Sequence, residues 1–384
     1  MATTPSHEAT LLLVTDRLTG DSGPRSSDSS KKLMDQLADR LAVQVLTSCA
    51  SRENTPDTGY QVDCYGQTGN ARQSNPLDTP VACGAPAMPL PLLAGLYRRA
   101  ARFHVIHAWG ERNGLLAGLV GRLRGTPVIT TLTCRDLAKN NNGWLSRLRL
   151  NLSMSLSAAV TVDNERRREE LSARFPRHAR KLHSIAEGID DSFYQIRPAY
   201  SAEAPFRLLT IATENQLPAL YSLLGALTFT TRTFHLTLLC PESVRHTLQD
   251  NLQRLKLAPF VSFITHSKPD ELHEWLEKSH IYLHLGSPEA HHQALNKAKA
   301  SARAVIASNS DGISEHIHNR VTGLIVDVMH DTQLANVLDN LSSEPGRIAI
   351  LGLAARNDMR RRGATWDGMA CGYERLYEQV GKSA

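Results

Sequence analysis

Glu289, the adjacent His291 and His292, Lys297, and the run Asp311-Gly312-Ile313-Ser314-Glu315 crowd carboxylates, imidazoles and an ammonium into one short part of the chain. A carboxylate accepts hydrogen bonds from hydroxyls, whereas an ammonium has three donors and no acceptor and attracts phosphate. His291 and His292 are neighbours on a helical segment and point apart, which argues against a shared metal ion. The stretch that carries these residues, Glu289 to Gly323, reads as an amphipathic helix, an apolar strand Ala304-Val305-Ile306-Ala307, a turn at Asp311-Gly312, and a second helix starting at Ser314 to Glu315. Strand-turn-helix units belong to doubly wound α/β sheets, where a ligand sits beyond the carboxyl ends of the strands and helix N-termini face its phosphates. The chemistry expected is recognition of a nucleotide or a sugar nucleotide.

A chain of 384 residues exceeds the size of a single core, so two domains are expected. The net charge is +5, with no dominant Lys/Arg run and no nucleic-acid motif, which speaks against a nucleic-acid partner. Six cysteines are scattered without Cys-x-x-Cys spacing, so neither a zinc site nor a disulfide scaffold is signalled and a reducing cytoplasm is the simplest home. Met1 to Arg17 holds only Leu11 to Val14 as an apolar core, too short for a signal peptide, and no window reaches the roughly 20 apolar residues of a membrane span. The expectation is a cytoplasmic protein, peripheral at most to the inner face of a membrane.

The elements that must position the site follow from apolar runs. Thr10 to Thr15 and Ala42 to Thr47 read as buried parallel strands around a helix Lys31 to Leu41, with Gly20, Ser22 and Gly23 in the intervening loop. Phe103 to Ile106 is expected as a strand ending at His107, which reads either as a histidine capping a strand end or as a cleft residue contacting donor or acceptor. Trp144 to Leu156 is expected as a helix whose leucines belong to the core, and Asp190 to Pro205 as an interdomain linker broken by Pro198 and Pro205. Alternating units from Phe206 onward imply a second parallel sheet, and Thr365 to Val380 a last helix.

Glu289, Ala304 to Ser308, Asp311-Gly312-Ile313-Ser314-Glu315 and Val321-Thr322-Gly323-Leu324 stand in the order of a known signature. The stretch resembles the C-terminal motif of the group 1, or family 4, retaining glycosyltransferases. His107-Ala108-Trp109-Gly110 with Gly125-Thr126-Pro127, and Glu187-Gly188-Ile189-Asp190, resemble further family elements. The resemblance implies an α/β GT-B fold of two Rossmann-like domains facing across a cleft: residues 1–195 on the acceptor side, 196–364 on the nucleotide-sugar side, and a helix 365–384 crossing back. It also implies transfer of a hexosyl unit from a nucleotide sugar to a glycan or lipid-linked acceptor with retention, without a cofactor or metal.

By the same resemblance Glu289 and His107 are the catalytic candidates. Lys297, His291, His292, Asp311, Gly312, Ile313 and Glu315 are the donor-binding ones, and Gly20, Ser22 and Gly23 form an acceptor or phosphate loop. The chain departs from the family where Lys297 replaces the ribose-binding Glu and where Thr213 and Pro218 stand in place of the diphosphate-binding Arg and Lys. Lys297, His291, His292 or Arg303 could supply a substitute cation. The alternative reading is a catalytically inactive homologue that binds or regulates an active glycosyltransferase. A nucleotide-binding module without transfer chemistry is the third.

Overall fold

The computed structural model describes residues 10–15, 27–47, 60–64, 89–133, 136–137, 143–199, 205–265, 271–286, 291–310, 312–327 and 331–382. Of the positions singled out above, Gly20, Ser22, Gly23, Glu289 and Asp311 lie outside the described residues. By internal contacts the chain divides into two units, Met1–Gly188 with Trp366–Ala384, and Ile189–Thr365.

The first unit holds strands β1 (Thr10–Thr15), β2 (Ala42–Thr47), β3 (Gln61–Cys64), β4 (Val105–Trp109), β5 (Val128–Thr131), β6 (Ala159–Val162) and β7 (Leu182–Ser184). Its helices in chain order are α1 (Ser27–Ala38), α2 (Pro89–Arg99), α3 (Glu111–Arg124), α4 (Trp144–Leu156) and α5 (Glu165–Arg174). The second unit begins with α6 (Asp191–Gln195) and carries β8 (Phe206–Ile211), α7 (Leu217–Leu227), β9 (Phe234–Leu239), α8 (Glu242–Arg254), β10 (Val261–Ile264), α9 (Glu271–Lys278) and β11 (Ile281–His284). It continues with α10 (His292–Ala300), β12 (Ala304–Ser308), α11 (Ile313–His316), β13 (Leu324–Val326), α12 (Asp331–Ser343) and α13 (Pro345–Arg361). The chain then returns to the first unit as α14 (Trp366–Gly381).

Both sheets are parallel, ordered β3-β2-β1-β4-β5-β6-β7 and β10-β9-β8-β11-β12-β13. Each is the doubly wound order, with its direction of winding reversed next to the first strand. A parallel sheet is covered on both faces, so its strands are apolar throughout. In β1, Leu11 and Leu13 pack with α1 and α14 through Leu33, Met34, Met369 and Tyr373. Leu12 and Val14 pack on the other face with α2 and α3 through Leu92, Leu96, Ala117 and Val120. The second unit repeats the pattern, with Leu236, Leu238, Ile281 and Ile306 against Leu220, Leu224, Val244 and Leu334.

Three expectations are corrected. The strand at residues 103–106 is instead β4, Val105–Trp109, so His107 lies inside the strand and not at its mouth. The linker expected at Asp190 to Pro205 begins with α6, whose Phe193 and Tyr194 are buried because two aromatic side chains find a core there. In α4 the buried residues are Leu150, Ser153 and Met154, while Trp144, Leu145, Leu148 and Leu152 are exposed. Small residues decide that orientation. A Cβ on Gly114 of α3 would stand 2.7 Å from Ser153 Oγ, and one on Gly118 would stand 2.6 Å from Leu156 Cβ. The glycines let α3 and α4 approach closely, which turns the leucine-rich side of α4 outward.

Candidate functional site

In an open doubly wound sheet the binding crevice lies at the carboxyl ends of the two strands where the order reverses, here β8 and β11. The loop after β8 starts at Ala212 and Thr213, and Thr213 caps a 3-10 turn, Glu214–Gln216. The cap is reciprocal: the Thr213 side chain accepts from the Gln216 amide, and Gln216 Oε1 accepts from the Thr213 amide at 2.8 Å. Gln216 Nε2 then donates across the reversal point to the carbonyl of Leu285, just after β11, at 2.8 Å. His291 Nε2 lies 3.2 Å from Gln216 Oε1, which can only accept, so the imidazole donates. One buried glutamine thus ties the loop after β8 to both ends of the connection from β11 to α10.

The partners of Gln216 are held in unusual backbone geometry. Gly286 has φ +81°, its amide donates to Ser308 Oγ at 2.8 Å, and its carbonyl accepts from Ser310 Oγ at 2.8 Å. An added Cβ there would enter the left-handed region and meet Gln216 Cγ at 3.4 Å. His291 has φ 107°, strained for a residue with a Cβ, and strain of this kind gathers at functional sites. Gly312, φ 83°, precedes α11, and the Ile313 amide is spent on Ser310 O at 3.1 Å.

The structure brings part of the expected set together. His291 and His292 open α10, and burial, followed by the neighbouring His292, lowers the His291 pKa, so its ring is neutral at neutral pH. Lys297 lies partly exposed on α10 with Nζ 5.2 Å from the centroid of the Phe193 ring, a cation–π contact. Arg303 is unsuited to binding a diphosphate. It is buried, donating from Nη1 to Ser279 O at 2.7 Å and from Nη2 to Arg197 O, and burial brings its pKa down to about 10. Lys299 is likewise interior, bonded to His316 O at 2.7 Å and to Asp358 at 3.3 Å. Glu315 is half-buried, Ile313 is a core side chain, and α11 spans four residues, too short to offer an anion site at its N-terminus. Thr213 acts as a helix cap and Pro218 occupies the first turn of α7, a position that needs no amide donor.

His107 stands apart from this arrangement, in the first unit. It is fully buried, with Nδ1 2.8 Å from Tyr377 OH and Nε2 2.7 Å from Thr131 Oγ1. Thr131 Oγ1 is also 2.6 Å from Thr161 Oγ1 and 2.8 Å from Tyr373 OH, so the network ties β4, β5 and β6 to α14. Burial depresses the His107 pKa to about 3, leaving the ring neutral. Of the two readings of this histidine, the geometry favours a positioning role over contact with a ligand.

The family model described as Glycosyl transferases group 1 matches residues 237–366, and that described as Glycosyltransferase Family 4 matches residues 31–193. The chain belongs to the group 1 / family 4 glycosyltransferases. Solved structures share its GT-B fold. Anabaena HepE in complex with UDP aligns with a TM-score of 0.72 at 15% identity, covering 97% of this chain and 100% of that one. Sucrose-phosphate synthase from Thermosynechococcus elongatus aligns with a TM-score of 0.67 at 16% identity over 98% and 100%. D-inositol 3-phosphate glycosyltransferase of Rhodococcus jostii (strain RHA1) is 31% identical over 126 residues, 33% of this chain and 27% of that relative, so the match spans about a quarter of its length.

The residues at the candidate crevice that the sequence reading did not single out as site residues are Gln216, Gly286, Ser308 and Ser310. The first had a signal. Thr213-Glu214-Asn215-Gln216 has the Thr-x-x-Gln spacing of a capping box, legible without a structure. Ser308 closes the signature run Ala304 to Ser308, whereas Ser310 had no such signal, because only the folded sheet places it against the loop after β11.

Proposed function

We propose that the chain is a retaining glycosyltransferase that moves a hexosyl unit from a nucleotide sugar to a glycan or lipid-linked acceptor. The observation that carries this is the Gln216 bridge at the reversal point of the second sheet, because it shapes the loops at the place where a doubly wound unit receives a nucleotide. The fold it shares with HepE, solved with UDP and with UDP-glucose, and its likeness to a D-inositol 3-phosphate glycosyltransferase support a sugar nucleotide as donor. In this reading Glu289 holds the sugar hydroxyls. Negative charge grows on the departing diphosphate, and a fixed cation stabilises it most when the site excludes water. Lys297 is the cation best placed by its exposure to take that part.

A panel of UDP-, GDP- and ADP-sugars, read by thermal shift, tests donor binding, since a ligand bound only to the folded state raises the melting temperature. The anomer of the product, followed by NMR, tests retention. Glu289→Gln should lower turnover about a hundredfold or more with the donor still bound, as expected for a contact made mainly in the transition state. Unchanged turnover removes Glu289 from the mechanism. Absence of binding across the panel replaces this reading with that of an inactive homologue that partners an active enzyme.

A further inference from the structure

We infer that the outer face of α3 and α4 is a docking surface for an anionic lipid bilayer. Twelve large apolar side chains are exposed among the described residues, and six of them lie on these two helices: Leu119, Leu123, Trp144, Leu145, Leu148 and Leu152. Leu145, Leu148 and Leu152 are spaced by three and four residues and so form one stripe along α4. The opposite side of that helix is committed to the core through Leu150, Ser153 and Met154. Trp144 opens the helix at 73% exposure, and its amphipathic ring is of the type that settles at headgroup level.

The charge around the stripe identifies the occupant. Arg112, Arg122 and Arg124 on α3 and Arg147 and Arg149 on α4 are all exposed. The acid in these two helices, Glu111, is buried and pairs with Arg149 at 3.4 Å. A second copy docking by the same face would set arginines against arginines, which is repulsive. A bilayer containing anionic lipid accepts both the apolar stripe and its basic border, the pattern of a helix that lies in the interface. No helix among the described residues is long and apolar enough to cross a membrane, so the contact would be made from one side. The inference concerns the first unit alone and stands apart from the transfer reaction.

The test is cosedimentation of the full chain with extruded vesicles of phosphatidylcholine alone, or with about one third phosphatidylglycerol, at low and at raised salt. Binding is expected on the anionic vesicles, weakened by salt, and at least about tenfold weaker on phosphatidylcholine. Trp144 emission should shift to the blue on anionic vesicles, and the shift should vanish in Trp144→Phe. The double variant Leu145→Glu, Leu148→Glu should lose binding, and Arg122→Gln with Arg147→Gln should weaken it about fivefold per arginine. All four positions are exposed, so an unchanged melting temperature verifies that the variants fold. The inference is overturned by absence of binding, by equal binding to neutral vesicles, or by full binding of the leucine variant. It is also overturned if the wild type self-associates with concentration and that association, not vesicle binding, is what the leucine variant loses.

Discussion

Two sheets with one strand order use their polar side chains in opposite ways. In the first, His107 is sealed in the middle of β4 and joined to Thr131, Tyr373 and Tyr377, with no loop residue in the network. In the second, the corresponding polar hub is Gln216, which sits in the loop after β8, braces that loop through Thr213, and holds the connection from β11 to α10 through Leu285 and His291. A polar group bonded inside a sheet specifies how layers stack, whereas one bonded between loops specifies the shape of the crevice they border. Shared topology therefore does not imply shared purpose, and position within the topology separates a stabilising network from one that shapes a site.

The sharpest way to break the comparison is to remove each hub and ask what fails. His107→Ala leaves a cavity and strips the Tyr377 hydroxyl of its imidazole partner, and should cost about 3–5 kcal/mol of stability, measured by the denaturant midpoint. If the protein keeps its stability but loses turnover, His107 is a site residue and the contrast collapses. Gln216→Met keeps volume but removes both amide functions. Donor affinity should fall about tenfold or more as the two loops loosen, with a stability loss of about 1–3 kcal/mol from the abandoned Leu285 carbonyl and Thr213 amide. A stability loss with unchanged affinity would make the glutamine structural as well.

This contrast also marks what the sequence could convey. Strands β1 and β2 are legible to the residue because a buried parallel strand is a short, nearly unbroken apolar run. The face of α4 is not legible from leucine content, since the interior side is set by Ser153 meeting Gly114 and Leu156 meeting Gly118 of α3. His107 is misplaced by a three-residue error in the end of a strand, enough to move a side chain from the mouth of a sheet to its interior. In the site itself, a search for cations at positions 213 and 218 passes over the neutral Gln216, and Arg303 looks available until its carbonyl partners are seen.

Acid should sharpen the comparison, because each unit buries a histidine with a depressed pKa. Burial takes His107 to about 3, and burial followed by Arg207 and Arg303 takes His280 to about 4. Both rings are neutral in the folded protein, while in the unfolded chain they take up a proton near pH 6.5. The unfolded state then binds more protons below pH 6.5, so stability is full above that value and declines as the pH falls toward 4 and 3. Each histidine contributes a slope of at most about 1.4 kcal/mol per pH unit. In urea titrations at stepped pH, His107→Asn should remove the His107 share of that slope and leave the share of His280. An unchanged profile would mean that the His107 ring is protonated when folded.

Lys297 carries the smallest effect and the finest distinction. Its ammonium faces the ring of Phe193, an exposed-type cation–π contact worth about 0.5–1 kcal/mol, so the lysine has a structural reason to exist whether or not a donor binds. Lys297→Met keeps an apolar stem against Phe193 and removes the charge. If the ammonium also attracts the diphosphate, donor affinity measured by isothermal titration should fall about fivefold, the scale of one partly screened charge pair, and Lys297→Glu should abolish binding by placing a like charge near the phosphates. Restoring the family pattern with Lys297→Glu, Thr213→Arg and Pro218→Lys should not strengthen binding, because Thr213→Arg removes the reciprocal cap that aims Gln216 at Leu285. Tighter binding by that triple variant would show that the crevice is an eroded version of the ordinary site, and that the Gln216 bridge is what remains after the cations were lost and not what replaced them.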